Sequence, residues 1–271
     1  MNITELLVKR HKRYPEVLGR ILWQFLNKPS NRFNKGTSVN FVNVGYSRLN
    51  GEVPLNLNKD DENNRYCIQM YDQLIKDMDL HNKDILEVGS GRGGGASYIL
   101  RYYSPQSYTG LDISGNNISY CNQHYKNSDL VFVRSNAEKL SFKDHSFDVV
   151  LNVESEISYN NLEKFFQEVR RVLRPSGSFL LTERIRKEKV DKVCYQLIDN
   201  GFEIIKVKNI TENVIAAFEK DSKHKEDIIK ENEPWKKRQP FSNVAEIKSS
   251  DEYLSLKSRV YEYWSYVLKI A

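Results

Sequence analysis

Five glycines, Gly89, Gly91, Gly93, Gly94 and Gly95, crowd into seven residues directly after the apolar stretch Ile85-Leu86-Glu87-Val88. Gly89, Gly91 and Gly94 satisfy G-x-G-x-x-G, a spacing that makes a tight turn, lets a ligand approach the backbone and exposes N–H groups at a helix N-terminus. A turn without a ligand would not need so many glycines, since each costs backbone entropy. The next apolar run closes on Gly110-Leu111-Asp112, where an acid at the carboxyl end of a strand can accept from both hydroxyls of a ribose. A dinucleotide and S-adenosylmethionine both suit that pair. Glu87, at the loop entrance, repels a pyrophosphate and attracts the cationic aminoacyl end of the sulfonium compound, so the second ligand is favoured.

These residues need a scaffold that brings strand ends together. Short apolar runs at Asp84–Val88, Ser107–Leu111, Leu130–Arg134, Phe147–Leu151 and Ser178–Thr182 alternate with segments of helical period. Such alternation predicts βαβ units and a parallel sheet covered on both faces. Ahead of them Tyr66, Met70, Leu74 and Met78 recur at steps of four and predict a helix within Asp61–Met78. Phe202–Val207 and Arg259–Ile270 read as two further strands, the last expected to add antiparallel at the sheet edge. The expected fold is therefore α/β, a Rossmann-like doubly wound sheet of seven strands, mostly parallel with an antiparallel last strand. Residues 1–79 form an N-terminal helical cap and helix, with weak helices at Ile3–Arg13 and Glu16–Phe25. The ligand-binding core spans 80–208, a charged helical lid 209–258, and the final strand 259–271.

The 271 residues carry 41 Lys and Arg against 36 Asp and Glu, a net charge of +5, and mean hydropathy is −0.62. Interspersed signs argue against a nucleic-acid stripe, the Trp235-Lys236-Lys237-Arg238 cluster aside. Cys67, Cys121 and Cys194 are isolated and form no CxxC pair, so neither a disulfide framework nor a metal site is expected. No segment has signal-peptide or membrane-spanning character. We expect a cytoplasmic protein, monomeric or homodimeric, without stable membrane insertion. Leu6–Phe25 is mixed basic and apolar like an interfacial helix, but Pro15 interrupts it.

The strings EVGSGRGGG, LDIS, NAEKLSF, SFDVVLNVES and EVRRVLRPSGSFLLTE, in that order, resemble the motif set of class I S-adenosylmethionine-dependent methyltransferases. More closely, GRGGGASYI, SYTGLDIS and LNVES are similar to small-molecule methyltransferases of natural-product and lipid biosynthesis, such as the phthiotriolone dimycocerosate O-methyltransferases. The resemblance runs from about Phe41 to the last strand. It implies that Glu87, Gly89, Ser90 and Gly91 hold the methionine moiety and Asp112 the ribose, with Asn117 nearby. Ile113 would pack on the adenine, with Asn136, Ala137 and Glu138 at its edge. Asn152 would line the sulfonium pocket, and Tyr46 would close over the cofactor.

Methyl transfer from a sulfonium is an in-line displacement, which demands above all a held and aligned acceptor. A neutral hydroxyl also needs a base, commonly His. Relatives with an NVESSH pattern supply one after strand four, but here Ile157 stands in its place. Glu156 and Tyr159 are the candidates to replace it, unless the acceptor is already acidic or an unprotonated amine. Trp235, Phe241, Tyr253, Tyr261, Tyr263 and Trp264 offer walls for an apolar acceptor pocket, although Tyr261, Tyr263 and Trp264 suit packing of the last strand better. The expected function is methyl transfer to a small or lipid-like molecule, at oxygen, in secondary metabolism. N- or C-methylation and a non-catalytic cofactor-binding homologue are the alternatives. A nucleic-acid methyltransferase is disfavoured, since no NPPY-type tetrapeptide follows strand four.

Overall fold

The structure, a computed structural model, describes residues 40–49, 51–155, 159–232 and 250–271, with the side chains of 223–232 excepted. The expected cap helices before residue 40 lie outside the described residues. A 3-10 turn at Lys59–Asn64 leads into α1 (Arg65–Ile75). There follow β1 (Asp84–Val88), α2 (Gly94–Tyr103), β2 (Ser107–Asp112), α3 (Gly115–His124), β3 (Leu130–Arg134) and β4 (Phe147–Val153). After these come α4 (Leu162–Val172), β5 (Leu173–Arg186), α5 (Val190–Asp199), β6 (Phe202–Asn209), α6 (Thr211–Asn232), α7 (Asp251–Lys257) and β7 (Tyr261–Ile270).

The strands form one seven-stranded sheet in the order β3-β2-β1-β4-β5-β7-β6. β1 to β5 pair in parallel, whereas β7 runs antiparallel to both of its neighbours. Parallel strands buried on both faces need continuous apolar sequence, and Ile85 to Val88 are all buried. α1, α2, α3, α6 and α7 cover one face, with Tyr71, Ile99, Ile118, Phe218 and Leu256 in its core. α4 and α5 cover the other, where Phe165, Phe166, Val169 and Val172 recur at helical spacing. The Asn161 side chain accepts from Lys164 N at the start of α4, the bond that satisfies an orphan donor of the first turn.

Two expectations change. The last strand does not sit at the edge: β7 inserts between β5 and β6, and β6 is the edge strand. Burial explains this order, because Tyr263, Tyr266 and Leu268 of β7 are buried while β6 is largely exposed from Glu203 to Asn209. The segment expected to form a helical lid starts as the helix α6. Val214, Ile215, Ala217 and Phe218 bury the first turns of α6 against the sheet. β5 is longer than Ser178–Thr182, because Leu173 pairs with Phe147 before residues 174–177 bulge out and pairing resumes at Ser178.

Candidate active site

The carboxyl ends of β1, β2 and β4 meet at the glycine loop, the crevice where open α/β sheets bind ligands. Gly89, Gly91 and Gly93 all adopt positive φ, at 82°, 54° and 76°, which explains glycine at each. Close approach adds to this: a Cβ on Gly89 would stand 2.2 Å from Ser155 Oγ, and one on Gly95 2.2 Å from Tyr71 Cε1. The loop satisfies much of its own backbone. Gly89 N and Ser90 N donate to the Leu111 carbonyl at 2.7 and 2.8 Å, and Gly94 N to the Asn40 carbonyl at 3.1 Å. Gly91 N donates to Asp112 Oδ2 at 2.9 Å. With these N–H groups occupied, the loop is a poor nest for a pyrophosphate, whose recognition depends on free backbone donors.

Glu87 is 1 % exposed. Its two oxygens accept from the Tyr71 and Tyr108 hydroxyls at 2.8 and 2.9 Å. Burial pushes the Glu87 carboxyl up to about 7, against the pull of those two hydrogen bonds, and neighbouring Asp112 raises it further. Burial first, then Glu87 itself, pushes the Tyr71 and Tyr108 hydroxyls well above their ordinary range. No cation contacts the Glu87 carboxylate among the described residues. Its charge therefore acts on a ligand through the field beneath the loop, with its own oxygens engaged by tyrosine.

Asp112 accepts from Ser114 N at 2.7 Å and from Asn117 Nδ2 at 3.3 Å, besides Gly91 N. Burial raises its carboxyl, and these three donors oppose the rise. Ile113 beside it is 57 % exposed, an apolar shelf next to a carboxylate. Asn136 is exposed and its Oδ1 accepts from Glu138 N at 2.9 Å, while Ala137 is buried. Glu138 Oε1 accepts from the backbone of Asn160 and Asn161 at 2.6 and 3.2 Å, tying this turn to the segment after β4.

Asn152, fully buried at the end of β4, presents Nδ2 to the Val88 carbonyl, Ser155 Oγ and the Tyr159 hydroxyl at 2.9, 2.7 and 2.8 Å. Ser155 Oγ and the Tyr159 hydroxyl are 2.7 Å apart, and both lie beside Gly89. Tyr159 thus joins the predicted site, whereas Glu156 and Ile157 lie outside the described residues. Among the described residues, two of the buried polar atoms that find no partner lie at the cradle, Ser90 Oγ in the loop and Asn152 Oδ1 beneath it. Orphaned buried groups call for a ligand or water.

Tyr46 is not brought to this cradle. Its ring is buried and its hydroxyl accepts from Lys208 Nζ on β6 at 3.1 Å and donates to Glu52 at 3.3 Å. The burial of an aromatic in the 40–47 strap, with Lys208 over the ring at 5.5 Å, makes it the anchor of that strap. The residues of the strap that do reach the cradle escaped the sequence reading. Val42 Cγ2 stands 2.8 Å from a Cβ on Gly91, Phe41 lies against Gly94, and Val44 N donates to the Glu154 carboxylate at 3.1 Å. Glu154 itself has φ of 55°, the kind of strained position that clusters at functional sites. A non-glycine φ of this sign has no signature in the sequence.

Comparison with known proteins places the chain in a family. Residues 86–181 match the family described as "Methyltransferase domain". The chain is 37 % identical over 195 residues, 72 % of this chain and 71 % of the relative, to a fatty-acid O-methyltransferase of Mycolicibacterium smegmatis. The chain belongs to the S-adenosylmethionine-dependent methyltransferases. A phthiotriol/phenolphthiotriol dimycocerosates methyltransferase of Mycobacterium ulcerans is 34 % identical over 213 residues, 79 % of this chain and 78 % of the relative. Among solved structures, the [4+2]-cyclase SpnF superposes with a TM-score of 0.64 at 16 % identity, covering 93 % of both chains. That likeness concerns the fold alone. For this methyltransferase the cofactor is S-adenosylmethionine, and the cradle fits it: β1 carries the buried acid Glu87 next to its last residue, beneath the loop, β2 ends on Asp112 beside the exposed apolar Ile113, and Ser90 Oγ and Asn152 Oδ1 await partners. Among the described residues no group of His, Cys, Asp and Glu could hold a metal ion, and no helix is long and apolar enough to cross a membrane.

Proposed function

We propose that this protein methylates an oxygen of a lipid-like acceptor. The observation that carries the acceptor class is the 37 % identity to a fatty-acid O-methyltransferase. The dimycocerosates methyltransferase, whose substrate is also lipid-like by its name, supports the same reading. The bound cofactor supplies an electrophilic methyl group. Asp112, Ile113 and Ala137 hold its nucleoside end, the residues 89–91 its methionine end, and Val42 with Phe41 covers it.

On the acceptor side, Ser155 and Tyr159 stand over Gly89, and Asn152 fixes both. An acceptor hydroxyl hydrogen-bonded to the Tyr159 oxygen would be held near the methyl group, which is most of what a displacement requires. A carboxylic acid acceptor arrives ionised at neutral pH and needs no base, which accommodates Ile157 where relatives carry His. We assign the protein to the cytoplasm, where its three cysteines, held as thiols, suit a reducing milieu.

The test is product analysis with methyl-deuterated cofactor against matched panels of long-chain fatty acids, long-chain alcohols and long-chain amines. Labelled esters or ethers are expected. Label in amines alone, or in RNA, would refute the proposal.

A further inference from the structure

Away from the cradle, a cavity of about 270 Å³ opens between α1, β6, β7 and the strap. Lys76, Lys206 and Lys208 line it together with Gln73, Ser265 and Tyr46. The functional reading above uses neither the cavity nor its lysines.

The charge census is unbalanced. Lys206 Nζ pairs with Asp77 at 2.9 Å. Lys208 Nζ donates to the Tyr46 hydroxyl, and Glu52 is reached only through that hydroxyl. Among the described residues, neither Lys76 nor Lys208 contacts a carboxylate. Asp77 acts on Lys76 as well as on Lys206, so three exposed ammonium groups on two elements share one carboxylate, an excess of two positive charges that an anion would complete.

The donor inventory narrows the anion. An ammonium has three donors, so Lys206 and Lys208 each keep two and Lys76 keeps all three. The neutral lining groups are already engaged: Gln73 Nε2 donates to Thr182 Oγ1 at 3.1 Å and Ser265 Oγ donates to Gln73 Oε1 at 3.1 Å. They shape the floor and leave recognition to the cations. Two uncompensated charges and several diverging donors match a phosphate monoester, which carries about −1.5 to −2 charge and three terminal oxygens at pH 7. A lone carboxylate would neutralise half of the excess. The Tyr46 ring and Val267 give an apolar side for the organic part of the ester.

We propose that this cavity is a binding site for a phosphate monoester, separate from the cofactor cradle. The same chemistry occurs in a soluble phosphate ester and in the headgroup of phosphatidic acid. Because Tyr46 anchors the strap that reaches Gly91, an occupied cavity would hold the strap by its far end.

The experiment titrates inorganic phosphate and glycerol phosphate into the full chain by calorimetry, alongside co-sedimentation with phosphatidic acid or phosphatidylcholine vesicles. The paired variant Lys206→Gln, Lys208→Gln is expected to bind phosphate at least about tenfold more weakly. An equal-charge control at exposed sites, Lys126→Gln with Lys143→Gln, is expected to bind like the parent. Thermal unfolding, measured in the same samples, reports that the variants are folded. Sedimentation with phosphatidic acid vesicles alone, lost in the cavity variant, identifies the headgroup; binding of glycerol phosphate without vesicle binding identifies a soluble ester. Absence of phosphate, ester and vesicle binding by the parent, or equal loss in both paired variants, overturns the proposal.

Discussion

The two halves of the sheet are built by different rules. In the β3-β2-β1-β4 half, strands are short, parallel and evenly registered, and their carboxyl ends carry glycine turns and buried acids. In the β5-β7-β6 half, strands are long and partly antiparallel, with register shifts in the pairings of β5 and β6 and an edge lined by exposed lysines. The first half has almost no slack: backbone donors are spent within the loop, and an added methyl group finds no room. The second tolerates change along β6 because its side chains meet solvent. The difference places the invariant part of the chemistry, holding one cofactor, on the rigid half.

The contrast can be broken most forcefully at Gly89. Gly89→Ala combines a positive φ with a Cβ 2.2 Å from Ser155 Oγ, and should cost about 4 kcal/mol of stability, together with cofactor binding; thermal unfolding and calorimetry measure both. Glu87 comes next. Its folded carboxyl is raised to about 7, so the native state holds the proton more tightly than the unfolded chain. Stability of the free protein should then fall as pH rises from about 4.5 to about 7, by about 3 kcal/mol in all. Denaturant titrations across that window should show a smaller fall for Glu87→Gln.

On the acceptor side, Tyr159→Phe should lower kcat about a hundredfold, near 2.7 kcal/mol, with cofactor affinity unchanged in a direct titration. Asp112→Ala should weaken cofactor binding by about 2 kcal/mol through lost ribose and loop hydrogen bonds. The smallest effect belongs to the other half: Val207→Thr on the edge strand, where Val207 is 46 % exposed, should stay within about 0.5 kcal/mol of the parent by chemical denaturation.

The same division explains what could be read from residues alone. β1 and β3 match their predicted limits, and the glycine turn and the placement of Asp112 and Asn152 at strand ends were legible because apolar runs and glycine spacing are local signals. The place of β7 was not, because strand order depends on pairing with β5 and β6 across the intervening α6 and α7. Tyr46 was misplaced for a similar reason: a motif gives the residue, while its partner Lys208 lies 162 positions away. Ser155 and Glu154 escaped because their roles follow from a backbone turn and from contacts with Gly89 and Val44. The half-buried acid Glu138 accepts from the backbone of Asn160 and Asn161, a tether that sequence spacing does not reveal.

The most direct test of the account is a calorimetric titration of S-adenosylmethionine into the full chain, into Gly89→Ala and into the Lys206→Gln, Lys208→Gln pair. One saturable site is predicted in the parent and in the lysine variant, and its loss in Gly89→Ala. No binding to the folded parent, or unchanged binding to folded Gly89→Ala, would contradict the assignment of the cofactor to the cradle between β1, β2 and β4.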